Sequence, residues 1–168
     1  MIDEPKNAVS PTKDVSFISG PGLRLAARLY LPSSEKDRKT GIVFCHVKEG
    51  TPVGLCDRLA LAGYTALSFD YRGFGASEGP RGHLVPHEQA QDAIHAVEFL
   101  SRDFGLNPDR LGIYGTSFGG GIALMACTQL PQIKAAFVTV PVVSGDHWLR
   151  SVCRYYEYLD IKQRAHAA

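Results

Sequence analysis

The sequence lacks the features that mark a secreted, membrane-spanning or nucleic-acid-binding protein. Its 18 basic and 17 acidic residues give a net charge of +1 over 168 residues, and no block of like charge points to nucleic acid. The N-terminus has no apolar stretch of the kind that a signal peptide carries, and no later apolar run reaches the length of a membrane span. We therefore expect a cytoplasmic protein whose partner is a small, mostly neutral molecule.

Patterns for metal and phosphate binding are also missing. The glycine-rich stretch after residue 114 has no lysine of a phosphate-binding loop. The cysteines form neither a CxxC pair nor a zinc-like spacing with histidine, which favours buried free thiols. The sequence therefore predicts neither a metal nor a cofactor. The four cysteines are Cys45, Cys56, Cys127 and Cys153.

What is present is an alternation of strand-like and helix-like segments. Two strand-like runs flank a Gly/Pro turn at residues 20–22 and predict an antiparallel hairpin. Four later runs are apolar without alternation, as in strands buried on both faces, and helix-like segments separate them. These runs are residues 41–46, 64–71, 111–115 and 133–141. The order βββαβαβαβ predicts an α/β fold with a mostly parallel sheet and an antiparallel start.

The same pattern divides the chain into three parts. We expect residues 1–13 to be a flexible tail, residues 14–145 to form a partial α/β core, and residues 146–168 to be helical, as the start of a cap domain. No further strand appears in this last segment. Its large apolar side chains can share one helical face: Trp148, Val152, Tyr155, Tyr156 and Leu159.

The central motif is Gly115-Thr116-Ser117-Phe118-Gly119, which matches G-x-S-x-G between a predicted strand and a predicted helix. In this motif the serine occupies a strained turn, and the flanking glycines remove side chains that would clash there. The hydroxyl is then exposed at the C-terminal edge of the sheet, where open α/β sheets bind ligands. The Phe118 N–H at the helix start can donate to an oxyanion. We predict that Ser117 is a nucleophile; the alternative is a glycine-rich turn with an incidental serine.

Together these motifs resemble the N-terminal part of an α/β-hydrolase. The stretch VFCH resembles the strand that leads to the oxyanion loop, FDYRGFGASEG the segment after the next strand, and GTSFGGG the nucleophile elbow. More narrowly, LRLAARLYLP, FDYRGFGASEG and VPVVSGDHWLRS are similar to Xaa-Pro dipeptidyl-peptidase-like hydrolases and to fungal polyketide transferases on the same scaffold. The resemblance covers residues 15–159 and implies a serine hydrolase or acyltransferase.

The resemblance also implies roles for residues around Ser117. The second oxyanion donor would be the N–H of Val47 or Lys48. The family's usual His-Gly is His46-Val47 here, and valine cannot easily take a glycine-only conformation. His46 is expected to orient this loop, with proton transfer as the alternative. Asp70 is expected to brace the loop and the elbow, with a role as the catalytic acid as the alternative.

The sequence supplies no obvious base for Ser117. In this fold the acid and the histidine follow the elbow in chain order, yet only 27 residues follow Pro141, and one βαβ unit needs about 30. We therefore expect a C-terminally truncated core without the last strands. Asp146 is the candidate acid, and a triad of Ser117, Asp146 and His166 is the remaining alternative.

Two functions follow from these observations. The first is a serine hydrolase or acyltransferase that acts on an ester, thioester or amide through an acyl-Ser117 intermediate; polyketide transfer in secondary metabolism is one form of it. The second is a non-catalytic or remnant hydrolase-fold domain without the acid and the histidine. The expected partner is a small acyl substrate. A sheet that ends after residue 141 should also expose an unpaired edge, which predicts self-association.

Overall fold

One six-stranded sheet organises the part of the chain that the structure describes. This computed structural model describes residues 9–20, 22–46 and 53–167. The strands are β1 (Thr12–Ser19), β2 (Leu23–Tyr30), β3 (Gly41–Cys45), β4 (Thr65–Phe69), β5 (Leu111–Thr116) and β6 (Ile133–Thr139). They lie in the order β1-β2-β4-β3-β5-β6; β2 is antiparallel to β1 and β4, and the other neighbours are parallel. The predicted α/β fold with an antiparallel hairpin is confirmed.

Helices pack on both faces of this sheet. α1 (Val53–Leu61), α2 (Pro86–Phe104) and α3 (Phe118–Gln129) pack on it, and α4 (Gly145–Val152) and α5 (Tyr155–Ala167) follow β6. The larger hydrophobic core lies between the sheet and α2 and α3. On the opposite face, α1 packs in a smaller cluster around Phe44 and Cys56. Most of the buried apolar side chains therefore lie on one side of the sheet.

α2 is amphipathic and packs one apolar face on the sheet. Four residues of this face are at most 8% exposed: Ala90, Ile94, Val97 and Leu100. The helix ends before Gly105, which has the left-handed φ of +59° that favours glycine at this position.

The fold begins earlier than the sequence predicted, because β1 starts at Thr12. Upstream of it, Ser10 is buried, and both its N–H and its hydroxyl donate to the Asp57 carboxylate of α1 at 2.6 Å. Residues 10–13, the last part of the predicted tail, therefore contact the fold, whereas residues 1–8 of that tail lie outside the described residues. This polar segment has no apolar periodicity from which its attachment could be predicted.

The C-terminal segment forms two helices rather than one continuous face. A short break in helical geometry separates α4 from α5. Among the described side chains of these two helices, that of Tyr158 in α5 is buried and the others are exposed or partly exposed. The Tyr158 hydroxyl donates to the Asp146 carboxylate of α4 at 2.6 Å and ties the two helices together. The five apolar side chains that the sequence analysis assigned to one helical face are all exposed: Trp148, Val152, Tyr155, Tyr156 and Leu159.

The cysteines are free thiols, as predicted, but only two of them are fully buried. Burial raises the pKa of Cys45 and of Cys56 to about 12, so both stay protonated at neutral pH. Cys127 and Cys153 are partly buried. Among the described residues there is no group of three metal-ligating side chains, and no helix there is long and apolar enough to span a bilayer.

Candidate active site

Ser117 lies in the connection between β5 and α3, at the C-terminal edge of the sheet, and its side chain is exposed. Its backbone has a φ of +54° and a ψ of −124°, a conformation that non-glycine residues rarely adopt. Two hydrogen bonds hold it: the Ser117 N–H donates to the Thr139 carbonyl at 3.0 Å, and the Val142 N–H donates to the Ser117 carbonyl at 2.9 Å. Between these two partners, Val140 also has a positive φ of +42°. The turn that the motif predicts is present, and the end of β6 supports it.

Close backbone packing requires the two glycines of the motif. A Cβ at Gly115 would overlap the Gly119 carbonyl, and a Cβ at Gly119 would overlap the Cys45 carbonyl at the end of β3. In both cases the obstacle is backbone rather than a flexible side chain. The start of α3 can therefore lie directly against β3 and β5, which places Ser117 above the sheet edge.

Replacing Ser117 with glycine should stabilise the protein. Glycine adopts positive φ without steric cost, whereas a non-glycine residue held there costs about 1–3 kcal/mol. The greater entropy of glycine in the unfolded chain offsets part of this gain. We expect the free energy of unfolding, measured by urea denaturation, to rise by about 1 kcal/mol. Ser117→Ala keeps the Cβ and is the control; equal stability of the two variants would mean that the turn stores no strain.

The N–H of Phe118 is placed to bind an oxyanion. Phe118 is the first residue of α3, and the first N–H groups of a helix have no intrahelical acceptor. They also lie at the positive end of the helix dipole. Val47 and Lys48, the predicted second donors, lie outside the described residues. The role of Phe118 as an oxyanion donor stays a prediction.

His46 follows β3, and its ring is hydrogen-bonded to a side chain of β4. Its Nε2 is 2.8 Å from the Oγ of Ser68, which is buried in β4. In the sheet, β4 lies on the side of β3 away from β5, so this hydrogen bond draws the ring away from the strand that leads to Ser117. The orienting role of His46 stays a prediction. The sequence pattern gives Ser68 no role, and a hydroxyl within a mostly apolar strand is its only signal.

Asp70 braces the loop that follows β4. Its carboxylate accepts the Ala76 N–H at 2.9 Å, and its main-chain carbonyl accepts the Ser77 hydroxyl at 2.6 Å. The Ser77 oxygen also accepts the Ala26 N–H of β2 at 2.8 Å, which ties the loop to the sheet. The predicted bracing of the loop is observed, but the described hydrogen bonds of Asp70 do not reach the elbow.

Asp146, the candidate acid, lies in α4, and its carboxylate contacts side chains of α4 and α5. Its carboxylate accepts hydrogen bonds from the Tyr158 hydroxyl at 2.6 Å and the Arg150 Nε at 2.8 Å, and the Lys162 Nζ is 3.6 Å away. The hydrogen bond from Tyr158, followed by the contribution of Arg150, lowers the pKa of this carboxyl. His166 lies in the last turn of α5, and its side chain is outside the described part. The acid role of Asp146 stays a prediction.

No described histidine side chain is hydrogen-bonded to Ser117. His46 is paired with Ser68, and the Nδ1 of His95 is 2.9 Å from the Oγ of Ser19. Within the described part of the chain, no hydrogen bond therefore joins Ser117 to a histidine. The other histidines with described side chains are exposed: His83, His87 and His147.

The strand order and the serine turn define an α/β-hydrolase fold, with the nucleophile position after β5. The chain matches the family model described as serine aminopeptidase, S33, over residues 49–161, more than half of its length. It belongs to this hydrolase family.

Solved structures and curated relatives agree with this assignment. A hypothetical protein of Pseudomonas aeruginosa superposes with a TM-score of 0.80 at 26% identity, covering 98% of this chain and 56% of that one. The α/β hydrolase GrgF from Penicillium sp. sh18 superposes with a TM-score of 0.73 at 25% identity, covering 92% of this chain and 54% of that one. The curated Penicillium polyketide transferase grgF is 28% identical over 138 residues, 80% of this chain and 47% of that protein. The predicted resemblance to α/β-hydrolases and fungal polyketide transferases is confirmed.

The thiohydrolase aneE of Aspergillus aculeatus is a further relative, 30% identical over 137 residues, which are 79% of this chain and 42% of that protein. The chain spans about half the length, or less, of the curated relatives that it matches. The residues that the family model matches, 49–161, include Ser117 and its turn.

Proposed function

We propose that this protein is a serine hydrolase or acyltransferase in which Ser117 carries the acyl group. The observation that carries the proposal is the exposed Ser117 in its strained turn, with the Phe118 N–H beside it at the start of α3. A hydroxyl held in this way can attack a carbonyl carbon while the helix-terminal N–H stabilises the developing oxyanion. Membership of a hydrolase family supports the same chemistry.

The reaction would have two steps. The Ser117 Oγ attacks the carbonyl carbon of an ester, thioester or amide and gives its proton to a base, and the alcohol, thiol or amine leaves with a proton. Water or an acceptor hydroxyl then attacks the acyl-serine, which releases the acid or a new ester and restores the serine hydroxyl. The base is not assigned to any described side chain.

An apolar groove beside the turn supports an acyl substrate. It has a volume of about 420 Å³ and lies between α3 and residues 142–145. Phe118 lines its end nearest to Ser117, and Leu124 and Met125 extend it along α3. Such a lining favours a hydrocarbon chain over a charged group.

The names of the relatives include both hydrolysis and transfer. One is a thiohydrolase, one is the acyltransferase drtE of Aspergillus calidoustus and one is a polyketide transferase. For this chain the two outcomes differ only in what attacks the acyl-serine. Product analysis with a thioester, in the presence and absence of an acceptor alcohol, separates them: a new ester means transfer, and only free acid means hydrolysis.

Ser117→Ala should reduce the turnover of an activated ester or thioester to the rate in buffer, because no acyl-serine can form. The measurement is release of p-nitrophenol or of free thiol. Ser34→Ala is the control, since Ser34 is exposed in a turn and should leave turnover unchanged. Equal turnover by the parent and Ser117→Ala would contradict the proposed function.

The second candidate is a non-catalytic or remnant hydrolase-fold domain. The observation that favours it is that no described histidine side chain is hydrogen-bonded to Ser117. Loss of the histidine from a serine triad costs on the order of 10⁶ in kcat. This candidate predicts that a fluorophosphonate leaves Ser117 unmodified in the folded protein. Rapid stoichiometric labelling would reject it.

A further inference from the structure

The chain at the end of β6 is bonded to the serine turn through backbone atoms. The Ser117 N–H donates to the Thr139 carbonyl at 3.0 Å, and the Val142 N–H donates to the Ser117 carbonyl at 2.9 Å. We call residues 139–142 the bracing segment. The serine is therefore bonded at its N–H and at its carbonyl to the same four-residue segment, which joins the site to the sheet through β6.

Two further glycines, at positions 120 and 121, make room for the bracing segment. The G-x-S-x-G motif does not include them, and both lie in the first turn of α3, although glycine favours a helix less than alanine does. A Cβ at Gly120 would lie 3.1 Å from the Pro141 Cβ, and a Cβ at Gly121 would overlap the Val142 carbonyl oxygen. Glycine at these two positions therefore lets the bracing segment lie directly against α3.

Val140, inside the bracing segment, has a backbone conformation that its sequence disfavours. Its φ of +42° lies in the left-handed region, where a β-branched residue is an outlier. Pro141 follows it, and the residue before a proline is driven towards extended conformations. Strain of this kind persists only where the surrounding structure fixes it. The contacts that can fix it here are the two hydrogen bonds on either side of Val140, both of which end on Ser117.

We propose that the bracing segment holds Ser117 in position for nucleophilic attack, with Val140 as its positioning residue. This inference rests on the proposed function of Ser117. The left-handed Val140 turns the chain so that the Thr139 carbonyl and the Val142 N–H both face the serine. An extended residue at position 140 would redirect the chain, and the serine turn would lose one of these two supports. Val140 acts through the backbone of Ser117 and takes no part in the reaction itself.

Two substitutions at position 140 separate positioning from side-chain packing. Proline fixes φ at about −65° and cannot take the left-handed conformation, whereas glycine takes it freely. We expect Val140→Pro to slow the labelling of Ser117 by a fluorophosphonate about 10²-fold, the loss that a misplacement of about 1 Å causes. Val140→Gly should keep the rate of the parent. If the side chain served only for packing, both changes would slow the labelling, and this result would overturn the proposal.

Hydrogen exchange of the Ser117 and Val142 amides, followed by NMR, tests the positioning without requiring the serine to react. Val140→Pro should speed the exchange of both amides about tenfold or more, because their hydrogen bonds open, and Val140→Gly should leave it unchanged. If the parent is not labelled but exchange responds in this way, the proposed function fails and the bracing of the turn stands. If the parent is labelled and Val140→Pro is labelled equally fast, the proposed function stands and this inference is overturned.

Lys39→Pro is the matched control, and Gly121→Ala is a second test on a different element. Lys39 also has a left-handed φ, +54°, but it precedes β3 and so lies at the opposite edge of the sheet from Ser117; its substitution should leave labelling and Ser117 exchange unaltered. Gly121→Ala should displace the Val142 carbonyl and change both readouts as Val140→Pro does, which keeps the proposal testable if that variant does not fold by circular dichroism. Equal losses in Lys39→Pro, or none in Gly121→Ala, would overturn the proposal.

Discussion

Replacing Asp92 with alanine should lower the free energy of unfolding by about 3–5 kcal/mol. Asp92 is fully buried in α2. Its carboxylate accepts hydrogen bonds from the Arg72 main-chain N–H at 3.1 Å, the Arg72 Nη2 at 2.7 Å and the Ser19 hydroxyl at 2.5 Å. The variant leaves a nearly buried guanidinium without its main partner, since Glu88 is 3.7 Å away and more exposed. An uncompensated buried charge costs more than the hydrogen bonds themselves.

Urea denaturation followed by circular dichroism measures this effect, and Asp14→Ala is the matched control. Asp14 contacts Arg28 at the same 2.7 Å, but both side chains are exposed. Ion pairs in water contribute little, so the control should be nearly as stable as the parent. A similar loss in both variants would mean that burial does not set the strength of the Arg72–Asp92 pair.

Replacing Gly119 with alanine should displace the start of α3 and remove the reactivity of Ser117. The added Cβ would overlap the Cys45 carbonyl, and overpacking against backbone costs about 1–3 kcal/mol. The helix must move away from β3, which carries the Ser117 turn with it. We expect a loss of stability of that size in denaturation and a loss of labelling by a fluorophosphonate.

Gly54→Ala is the matched control for this substitution. Gly54 lies in α1, and a Cβ there would meet no atom within 4 Å. Because alanine favours helix over glycine, the control should be as stable as the parent or slightly more so, with labelling unchanged. If Gly119→Ala retained both stability and labelling, the close packing of the elbow would not be what positions Ser117.

The strands, the main helices and the elbow could be predicted from the sequence because each leaves a local pattern. An apolar run without alternation indicates a strand with both faces covered. β3 and β4 are buried almost throughout, whereas alternate residues of β5 are only partly buried and most of β6 is exposed, which corrects the prediction for residues 133–141. The motif around Ser117 fixed the turn, since glycine at positions 115 and 119 is the local requirement for close packing. These features need no knowledge of distant contacts.

The errors arose where distant contacts decide the structure. Ser10 joins the fold through Asp57, 47 residues further along the chain. Arg150 of α4 lies over the Tyr158 ring, and the Tyr158 hydroxyl donates to Asp146 of the same helix; apolar periodicity does not indicate which face of a helix meets a neighbour. In the site, the pairing of His46 with Ser68 likewise depends on the neighbouring strand. Local sequence does not encode any of these partners.

The burial of the α1 side chains could not be predicted from the sequence either. Its leucines have helical spacing, but the fully buried residues are Cys56 and Ala60, while Leu55 and Leu59 line the open groove. The sequence predicts that the helix exists and has an apolar side. How much of that side is covered depends on what packs against the face of the sheet beside β6.

Mass spectrometry of the folded chain after brief treatment with a fluorophosphonate tests most directly whether Ser117 is an activated nucleophile. Because Ser117 is exposed in a strained turn beside the Phe118 N–H, we predict one adduct per chain, on the peptide that contains Ser117. The adduct should not form when the chain is unfolded in urea before treatment. No adduct on the folded chain, or slow modification of several exposed serines at equal rates, would contradict the central claim.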